Sequence, residues 1–223
     1  MPGLGLDERS SARLRAELAG ADGGPAVAAE VVLLPGMGRA EPVPPLPELA
    51  GRLLSGLGDG PVVLVGHSSG CQVAVLAAVD PRVAALVLLG PTTDPRLRRA
   101  AALAGRWAAT AAAEQWTQVP RILAQWAHTG PRVMLALWRR TAPDRTDARL
   151  AAVQVPVTVV RGTRDRLCPR DWAQRLVAAA PAARLAELPG AAHMTVQTRP
   201  REVAGLVRAA AAEVAGPRAV PPV

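Results

Sequence analysis

The sequence feature that most constrains the fold is the pentapeptide Gly66-His67-Ser68-Ser69-Gly70, which has the pattern G-x-S-x-G. It directly follows the apolar run PVVLV, which is typical of a buried strand, and directly precedes the apolar run CQVAVLAAV, which has the length of a helix. A strand that turns this sharply into a helix needs glycine on both sides of the serine, because side chains there would collide with neighbouring backbone. The turn lifts the Ser68 hydroxyl clear of the sheet, so we predict that Ser68 is a nucleophile rather than a helix cap.

A serine hydroxyl is a weak nucleophile at neutral pH unless a base takes its proton, and the chain contains three histidines. His67 lies inside the turn, where its side chain should point away from Ser68, and His128 lies in a region of predicted helices. His193 lies in the loop sequence PGAAHM, after the predicted strand RLAEL and before the last predicted helix. We therefore predict that His193 is the general base.

A carboxylate is needed to orient this histidine and to stabilise its charged form. Asp165 lies a few residues beyond the predicted strand that contains VTVV, and it is our predicted acid. Asp94 follows the preceding strand in the sequence GPTTD and remains an alternative, because a carboxylate there could also approach the histidine. Asp171 is a weaker alternative, because it has the position of a first-turn helix acid.

Strand-like and helix-like segments alternate along most of the chain. This alternation predicts the α/β class, with a mostly parallel, doubly wound sheet and crossover helices. The predicted strands are 27–34, 61–65, 84–89, 155–161 and 184–188. The predicted helices are 7–19, 46–57, 69–79, 170–180 and 201–214.

Residues 94–150 interrupt the alternation, because they contain no convincing strand and favour two or three helices rich in Ala, Trp and Arg. An insertion of helices between parallel strands predicts a cap over the carboxyl edge of the sheet, where open α/β sheets bind ligands. We expect Trp107, Trp126, Trp138 and Met134 to line a substrate pocket there, beyond filling the interior of the insertion itself.

Ser68, Asp165 and His193 occur in that order, each in a loop after a predicted strand, and helices are inserted after the strand that leads into GPTTD. In these features the chain resembles the α/β-hydrolase superfamily, and the likeness covers nearly the whole sequence. The resemblance implies an eight-stranded, mostly parallel sheet, a Ser-His-Asp triad, a cap domain, and no cofactor or metal. The corresponding expected parts are a core at 1–93 and 151–216, a cap at 94–150 and a flexible tail at 217–223.

The amino-terminal region departs from that family, in which the oxyanion loop follows the third strand. Two Gly-rich loops compete for this role, Pro2-Gly3-Leu4-Gly5 and Pro35-Gly36-Met37-Gly38. If the first is the oxyanion loop, the backbone N–H groups of Leu4 and Ser69 hold the oxyanion and residues 27–34 form the fourth strand. We favour this alignment, because PGLGLDERSSARLRAEL resembles the oxyanion loop and following helix of such enzymes. If the second loop has this role, Met37 replaces Leu4 and the usual fourth strand and its helix are missing.

The favoured alignment leaves no segment for the strand that should precede the first loop. The neighbouring strands would then lack ladder hydrogen bonds, and buried unpaired backbone groups are costly. One expectation is therefore that the true start lies upstream of Met1, or that the protein is truncated there. A stop codon directly upstream in the genomic DNA would contradict a misassigned start.

Composition excludes several other classes of protein. The formal net charge of +8 comes from scattered arginines with no lysine, and Phe, Tyr and Asn are also absent, which indicates GC-rich, bacterial coding; we expect no nucleic-acid partner. Cys71 and Cys168 lack the spacing of a disulfide framework or a zinc site. The first twenty residues carry charges where a secretory signal needs an apolar run, and polar residues interrupt the uncharged stretch 61–79. We therefore expect a cytoplasmic protein without a membrane segment.

Together these features predict a serine hydrolase that cleaves a carboxylic ester, thioester or lactone of a small hydrophobic substrate through an acyl-enzyme. The apolar insertion favours a hydrophobic acyl or alkyl group over a sugar or peptide. Carbon–carbon bond hydrolases and cofactor-free perhydrolases share these residues and are not distinguished. The alternative from another class is a binding protein on a catalytically weak or inactive hydrolase fold, which the missing strand favours and the candidate triad opposes. The sequence assigns no oligomeric state.

Overall fold

The structure is a computed structural model that describes residues 1–21 and 23–216, so the flexible tail predicted at 217–223 lies outside the described residues. The strands are β1 (Leu34–Pro35), β2 (Gly38–Arg39), β3 (Val62–His67), β4 (Val83–Leu89), β5 (Val157–Gly162) and β6 (Ala183–Leu188). The helices are α1 (Ala12–Ala16), α2 (Leu46–Ser55), α3 (Gly70–Ala77), α4 (Ala100–Ala111), α5 (Val119–Thr129), α6 (Pro131–Thr141), α7 (Thr146–Leu150), α8 (Arg170–Ala179), α9 (Thr195–Thr198) and α10 (Pro200–Ala215). Short helical turns lie at Glu8–Ser11, Glu17–Ala21, Pro95–Leu97 and Trp116–Gln118.

The main sheet is parallel throughout, with the strand order β3-β4-β5-β6. Helix α3 connects β3 to β4, and α8 connects β5 to β6. Parallel strands cannot be joined by a tight turn, so each connection crosses the sheet through a helix. This arrangement confirms the predicted α/β class, and apart from 27–34 the predicted strands and helices match the observed ones to within a few residues.

Both faces of the central strand β4 are buried, which explains why this strand is apolar at successive positions. In β4, Leu86 and Leu88 face one apolar core, which also contains side chains of α2, α3 and α8. Val87 and Leu89 face a second core, to which α1 and α10 contribute. Successive side chains of a strand point to opposite faces, so one short strand supplies both cores. The helices therefore cover both faces and leave the carboxyl ends of the strands as the edge where a ligand can bind.

The strand predicted at 27–34 is wrong except at its last residue. Leu34 lies in β1, which pairs with β2 in a sheet separate from the main one, and residues 27–33 have no regular structure. A strand is stable only where a neighbour pairs with its backbone, and at this edge of the sheet the partner of β3 is Met1. The Met1 amino group donates to Val65 O at 2.8 Å, and His67 N–H donates to Met1 O at 3.1 Å. Within the described residues the main sheet has four strands, where the family resemblance implied eight.

Residues 94–150, which we call the helical insertion, connect β4 to β5 and are helical as predicted. Helices α4, α5 and α6 account for the two or three that were expected, and the short α7 is an additional one. Gly130, with a φ of 84°, ends α5, and Pro131 begins α6. Proline is tolerated in a first helical turn because the N–H group it lacks would have no acceptor within the helix.

Candidate active site

Ser68 lies in the tight turn between β3 and α3, with a φ of +53°. This left-handed conformation is strained for a residue other than glycine, and such strain is concentrated at functional sites. A Cβ atom on Gly66 would lie 2.8 Å from Cys71 Cα, and one on Gly70 would lie 2.8 Å from Pro2 O. The close approach of backbone atoms therefore requires glycine at both positions of the motif.

Asp165 and His193 form a buried pair, in which His193 Nδ1 lies 2.7 Å from Asp165 Oδ2. The other carboxylate oxygen, Oδ1, accepts the backbone N–H groups of Leu167 at 2.8 Å and Cys168 at 3.1 Å. Burial alone would raise the pKa of Asp165, but the charge of His193 and these hydrogen bonds lower it. Burial also opposes the charged form of His193, yet the adjacent Asp165 carboxylate raises the pKa of its imidazole. The pair therefore keeps the aspartate ionised and stabilises a protonated histidine.

The two ring nitrogens of His193 have different surroundings. Nδ1 carries the proton and donates a hydrogen bond to the Asp165 carboxylate, so the neutral ring carries no proton on Nε2. In the part of the chain that the structure describes, Nε2 is buried and has no hydrogen-bond partner, and the ring lines the same cavity as Ser68. This is the tautomer that a general base acting on Ser68 needs.

The other two histidines have different positions. His67 Nε2 lies 3.2 Å from His193 O, and because a carbonyl only accepts, Nε2 of His67 carries the proton. Burial lowers the pKa of His67 to about 3, so this ring is neutral near neutral pH. His128 is exposed on α5. His67 therefore supports the backbone of His193 without titrating alongside it.

Gly90, at the end of β4, was not recognised from the sequence but packs against the histidine–aspartate pair. Its φ is +54°, and an added Cβ would lie 2.9 Å from His193 Nδ1 and 3.1 Å from Asp165 Oδ2. No side chain can be accommodated there without moving one of the two partners. The lack of a side chain at Gly90 therefore leaves the room that His193 and Asp165 need to form their hydrogen bond.

The two alternative acids are both paired with one arginine. Arg96 lies 2.6 Å from a carboxylate oxygen of Asp94 and 2.7 Å from one of Asp171. The carboxylate that hydrogen-bonds to His193 is that of Asp165. Asp94 and Asp171 therefore pair with Arg96, whereas Asp165 pairs with His193.

The loop that contains Leu4 lies against the Ser68 turn. A Cβ on Gly3 would lie 2.8 Å from Ser68 Cβ, and Leu4 and Ser69 line the cavity together with Ser68. Across residues 1–21 and 23–216, the backbone N–H groups of Leu4 and Ser69 donate no hydrogen bond to another backbone group. Both donors are therefore available to a ligand bound beside Ser68.

Met37, the alternative to Leu4, lies away from this site. Its side chain is fully buried in the core, and its backbone N–H donates to Leu34 O at 2.8 Å. An amide that already closes a turn cannot bind an oxyanion without losing that bond. The Met37 loop instead contacts the first loop, because Gly36 O accepts the Gly5 N–H at 2.8 Å.

A cavity of about 540 Å³ joins Ser68 and His193 to the helical insertion. Its walls are mainly apolar, and they include the four residues that were expected to line a pocket, namely Trp107, Trp126, Met134 and Trp138. The rings of Trp107 and Trp126 lie 5.2 Å apart. The volume is within the range of sites that enclose a small organic molecule.

Glu114 and Gln72 are among the polar residues that line this cavity and that sequence analysis missed. Glu114 Oε1 accepts the backbone N–H of Met194 at 2.7 Å, next to His193, and burial is the main cause that raises the pKa of this carboxyl group. The local composition around each residue is the one sequence signal that could have pointed to it. Glu114 is the only glutamate in residues 94–150, and Gln72 is the only polar residue in the run CQVAVLAAV.

Among residues 1–21 and 23–216, no group of three or more His, Cys, Asp or Glu side chains is arranged to bind a metal ion. In the same residues, no helix is both long enough and apolar enough to cross a membrane.

A family model and a curated relative both match this chain over most of its length. Residues 1–206 match the model of the alpha/beta hydrolase family. The lipase LipV of Mycobacterium tuberculosis is 32% identical over 190 residues, and the match covers 70% of each chain.

Solved structures show the same fold at low sequence identity. A hydrolase from Oleispira antarctica has a TM-score of 0.72 at 14% identity, covering 96% of this chain and 89% of its own. A thermophilic esterase from Thermogutta terrifontis has a TM-score of 0.63 at 19% identity, covering 96% and 92% of the two chains.

Proposed function

The chain belongs to the alpha/beta hydrolase family, and from this membership we propose that it hydrolyses carboxylic esters of small hydrophobic substrates through a Ser68 acyl-enzyme. One observation carries the proposal: His193, which is hydrogen-bonded to the buried Asp165, lines the same cavity as a serine on a strained turn. The relative that is 32% identical is named a lipase, which also favours an ester bond.

In the first half of the reaction, Ser68 Oγ attacks the carbonyl carbon of the ester. His193 Nε2 takes the hydroxyl proton as the new bond forms, and Asp165 stabilises the resulting imidazolium. The tetrahedral intermediate then collapses, and the imidazolium gives its proton to the departing alkoxide. The products of this half are the free alcohol and an ester between the acyl group and Ser68.

In the second half, water replaces the alcohol. His193 takes a proton from water, the hydroxide attacks the acyl carbon, and the proton returns to Ser68 Oγ as the carboxylic acid leaves. Apart from the ester and water, the proton transfers of both halves need only the side chains of Ser68, His193 and Asp165.

The negative charge that forms on the carbonyl oxygen needs hydrogen-bond donors. We assign these to the backbone N–H groups of Leu4 and Ser69, because both lie at the Ser68 turn and neither donates a hydrogen bond to another backbone group in the described residues. Loss of one such donor typically raises the barrier by ~3 kcal/mol. The position of the Leu4 loop is therefore a condition for activity.

The apolar walls of the cavity favour an acyl or alkyl group of hydrocarbon character, and the helical insertion acts as the cap that encloses it. Thioesters and lactones present the same carbonyl to Ser68 and remain within this proposal. The cytoplasmic location and the absence of a nucleic-acid partner stay predictions from the sequence.

A fluorophosphonate probe tests the proposal, because it reacts with serines that a neighbouring base has activated. We expect the folded protein to be labelled and Ser68→Ala to remain unlabelled. The matched control is Ser55→Ala, since Ser55 is an exposed serine at the end of α2. A panel of p-nitrophenyl esters of graded acyl length should then give turnover that depends on Ser68. Folded protein with no Ser68-dependent labelling or turnover would mean that the chain is a binding protein.

A further inference from the structure

Helix α4 of the helical insertion contacts the loop that carries the proposed acid. Thr110, in the last turn of this helix, accepts the backbone N–H of Arg166 at 3.1 Å. Its own hydroxyl proton is donated to Arg106 O at 2.9 Å, one turn earlier in α4. Only 3% of Thr110 is exposed, so water competes little for this hydroxyl group. The hydroxyl therefore joins α4 to the residue that directly follows Asp165.

The contact lies in the middle of the turn that holds the Asp165 carboxylate. Asp165 Oδ1 accepts the backbone N–H groups of Leu167 and Cys168, and Arg166 lies between the acid and these two donors in the chain. A shift of the Arg166 backbone would therefore move the donors and the carboxylate together. Thr110 thus connects the whole turn to the helical insertion.

Glu114 makes the corresponding contact with the loop of the proposed base. It lies four residues after Thr110, and its Oε1 accepts the backbone N–H of Met194 at 2.7 Å. Met194 directly follows His193. Both contacts come from the short segment 110–114, so a movement of this segment would displace the acid loop and the base loop at once.

A purely local role does not account for Thr110. Threonine is a weaker helix former than alanine, and alanine occupies the positions on both sides of Thr110. A hydroxyl that only donated to its own helix would add little to the stability of that helix. The N–H that Thr110 accepts belongs to a residue 56 positions away. Without Thr110, this backbone donor beside the proposed acid would lose its partner.

We propose that Thr110 and Glu114 are positioning residues, which hold the Asp165 carboxylate and the His193 imidazole in the arrangement that a general base needs. Each acts through the backbone N–H group next to the residue that it positions. A catalytic group must be held to within about half an ångström, so loss of either contact should slow the chemical step more than it weakens substrate binding. The effect on turnover rests on the proposed esterase function, whereas the placement of the pair does not.

The titration of the His193 ring reports where the carboxylate lies. Of the described residues, the titratable groups that face this ring are Asp165, Glu114 and His67. Burial opposes the charged form of His193, but the two carboxyl groups raise its pKa overall, and burial lowers the pKa of His67. A displaced Asp165 would stabilise the imidazolium less, so the pKa of His193 would fall.

Thr110→Val removes the hydroxyl and keeps the shape of the side chain. NMR of Ser68→Ala protein can follow the three histidine rings of the chain without turnover. We expect Thr110→Val to move the His193 titration to lower pH and Thr110→Ser, which keeps a hydroxyl, to restore it. Thr141→Val is the matched control, because Thr141 is a buried threonine of the same insertion whose hydroxyl donates to Leu137 O within its own helix. This control should leave the His193 titration unchanged.

Ester hydrolysis by protein that retains Ser68 tests the effect on the reaction. Thr110→Val should lower kcat for p-nitrophenyl butyrate about tenfold with little change in KM, and should move the acid limb of kcat/KM to lower pH. Glu114→Met removes the acceptor of the Met194 N–H, so it should lower kcat more than Glu114→Gln, which keeps an oxygen there. Thermal unfolding checks that each variant is folded, and Thr110→Ala replaces Thr110→Val if the latter is not.

The outcomes separate the two proposals. An unchanged His193 titration and kcat in folded Thr110→Val protein would overturn the role of Thr110, as would an equal shift in Thr110→Ser or in Thr141→Val. Equal kcat in Glu114→Met and Glu114→Gln would overturn the role of Glu114. A shifted titration without any Ser68-dependent hydrolysis would refute the esterase and leave the positioning roles standing. Ser68-dependent hydrolysis with parental kcat in both Thr110→Val and Glu114→Met would refute only the positioning roles.

Discussion

Replacing Gly90 with alanine tests whether the space around the histidine–aspartate pair controls catalysis. The added Cβ would lie 2.9 Å from His193 Nδ1 and 3.1 Å from Asp165 Oδ2. Ordinary van der Waals contact requires the imidazole to move by about half an ångström, which is the limit of tolerance for a catalytic group. We expect kcat/KM for ester substrates to fall by about 10- to 100-fold, equivalent to ~1.4 to 2.7 kcal/mol of transition-state stabilisation.

The substitution also places a side chain at a φ of +54°, which by itself reduces folding stability by ~1–2 kcal/mol. Gly20→Ala is the matched control, because Gly20 has a φ of +97° and nothing lies within 4 Å of an added Cβ. Both variants should lose stability in thermal unfolding, but only Gly90→Ala should lose p-nitrophenyl butyrate hydrolysis and fluorophosphonate labelling. A folded Gly90→Ala protein with the kcat/KM of the Gly20→Ala control would refute the reasoning.

The pKa values of His193 and of the two cysteine thiols lead to further predictions. Asp165 raises the pKa of His193, and the base acts only when neutral, so Asp165→Asn should shift the acid limb of the pH profile of kcat/KM to lower pH and reduce kcat by roughly 10⁴-fold. An acid limb that does not move in an ester assay would contradict this. Glu114 also raises the pKa of His193, so Glu114→Gln should shift the same limb in the same direction by less, and a shift to higher pH would be the contrary result. Burial raises the pKa of the thiols of Cys71 and Cys168, so iodoacetamide should modify neither in the native protein and both after unfolding; mass spectrometry of the native protein would detect the opposite outcome.

The turn around Ser68 could be predicted from sequence because everything that determines it is contiguous. The apolar strand, the flanking glycines and the apolar helix lie within one stretch of the chain, and their physical requirements do not depend on distant segments. The contact between Asp165 and His193 could be expected for a related reason. Each follows a predicted strand, and the carboxyl ends of parallel strands meet at one edge of the sheet.

The errors and omissions concern features that depend on distant partners. Residues 27–34 have the composition of a strand, but among the residues that the structure describes no strand pairs with positions 27–33. Gly90 is distinctive only because His193, far along the chain, packs against it. Glu114 similarly gains its position from Met194, and no local pattern records that contact. Propensity and periodicity describe local preference, whereas these features are set by which segments approach one another.

The helical insertion also contacts the backbone of the proposed catalytic site. Three side chains on one side of α5 hydrogen-bond to the backbone of residues 4–7, at distances of 3.0 to 3.1 Å: Gln125 to Asp7, Trp126 to Leu4 and Thr129 to Gly5. Glu114, which precedes α5, holds the backbone beside His193. The insertion therefore helps to hold both the loop of the proposed oxyanion donor and the backbone beside the proposed base. Because a catalytic group must be held to within about half an ångström, a change that displaces α5 should reduce kcat as well as alter which substrates bind.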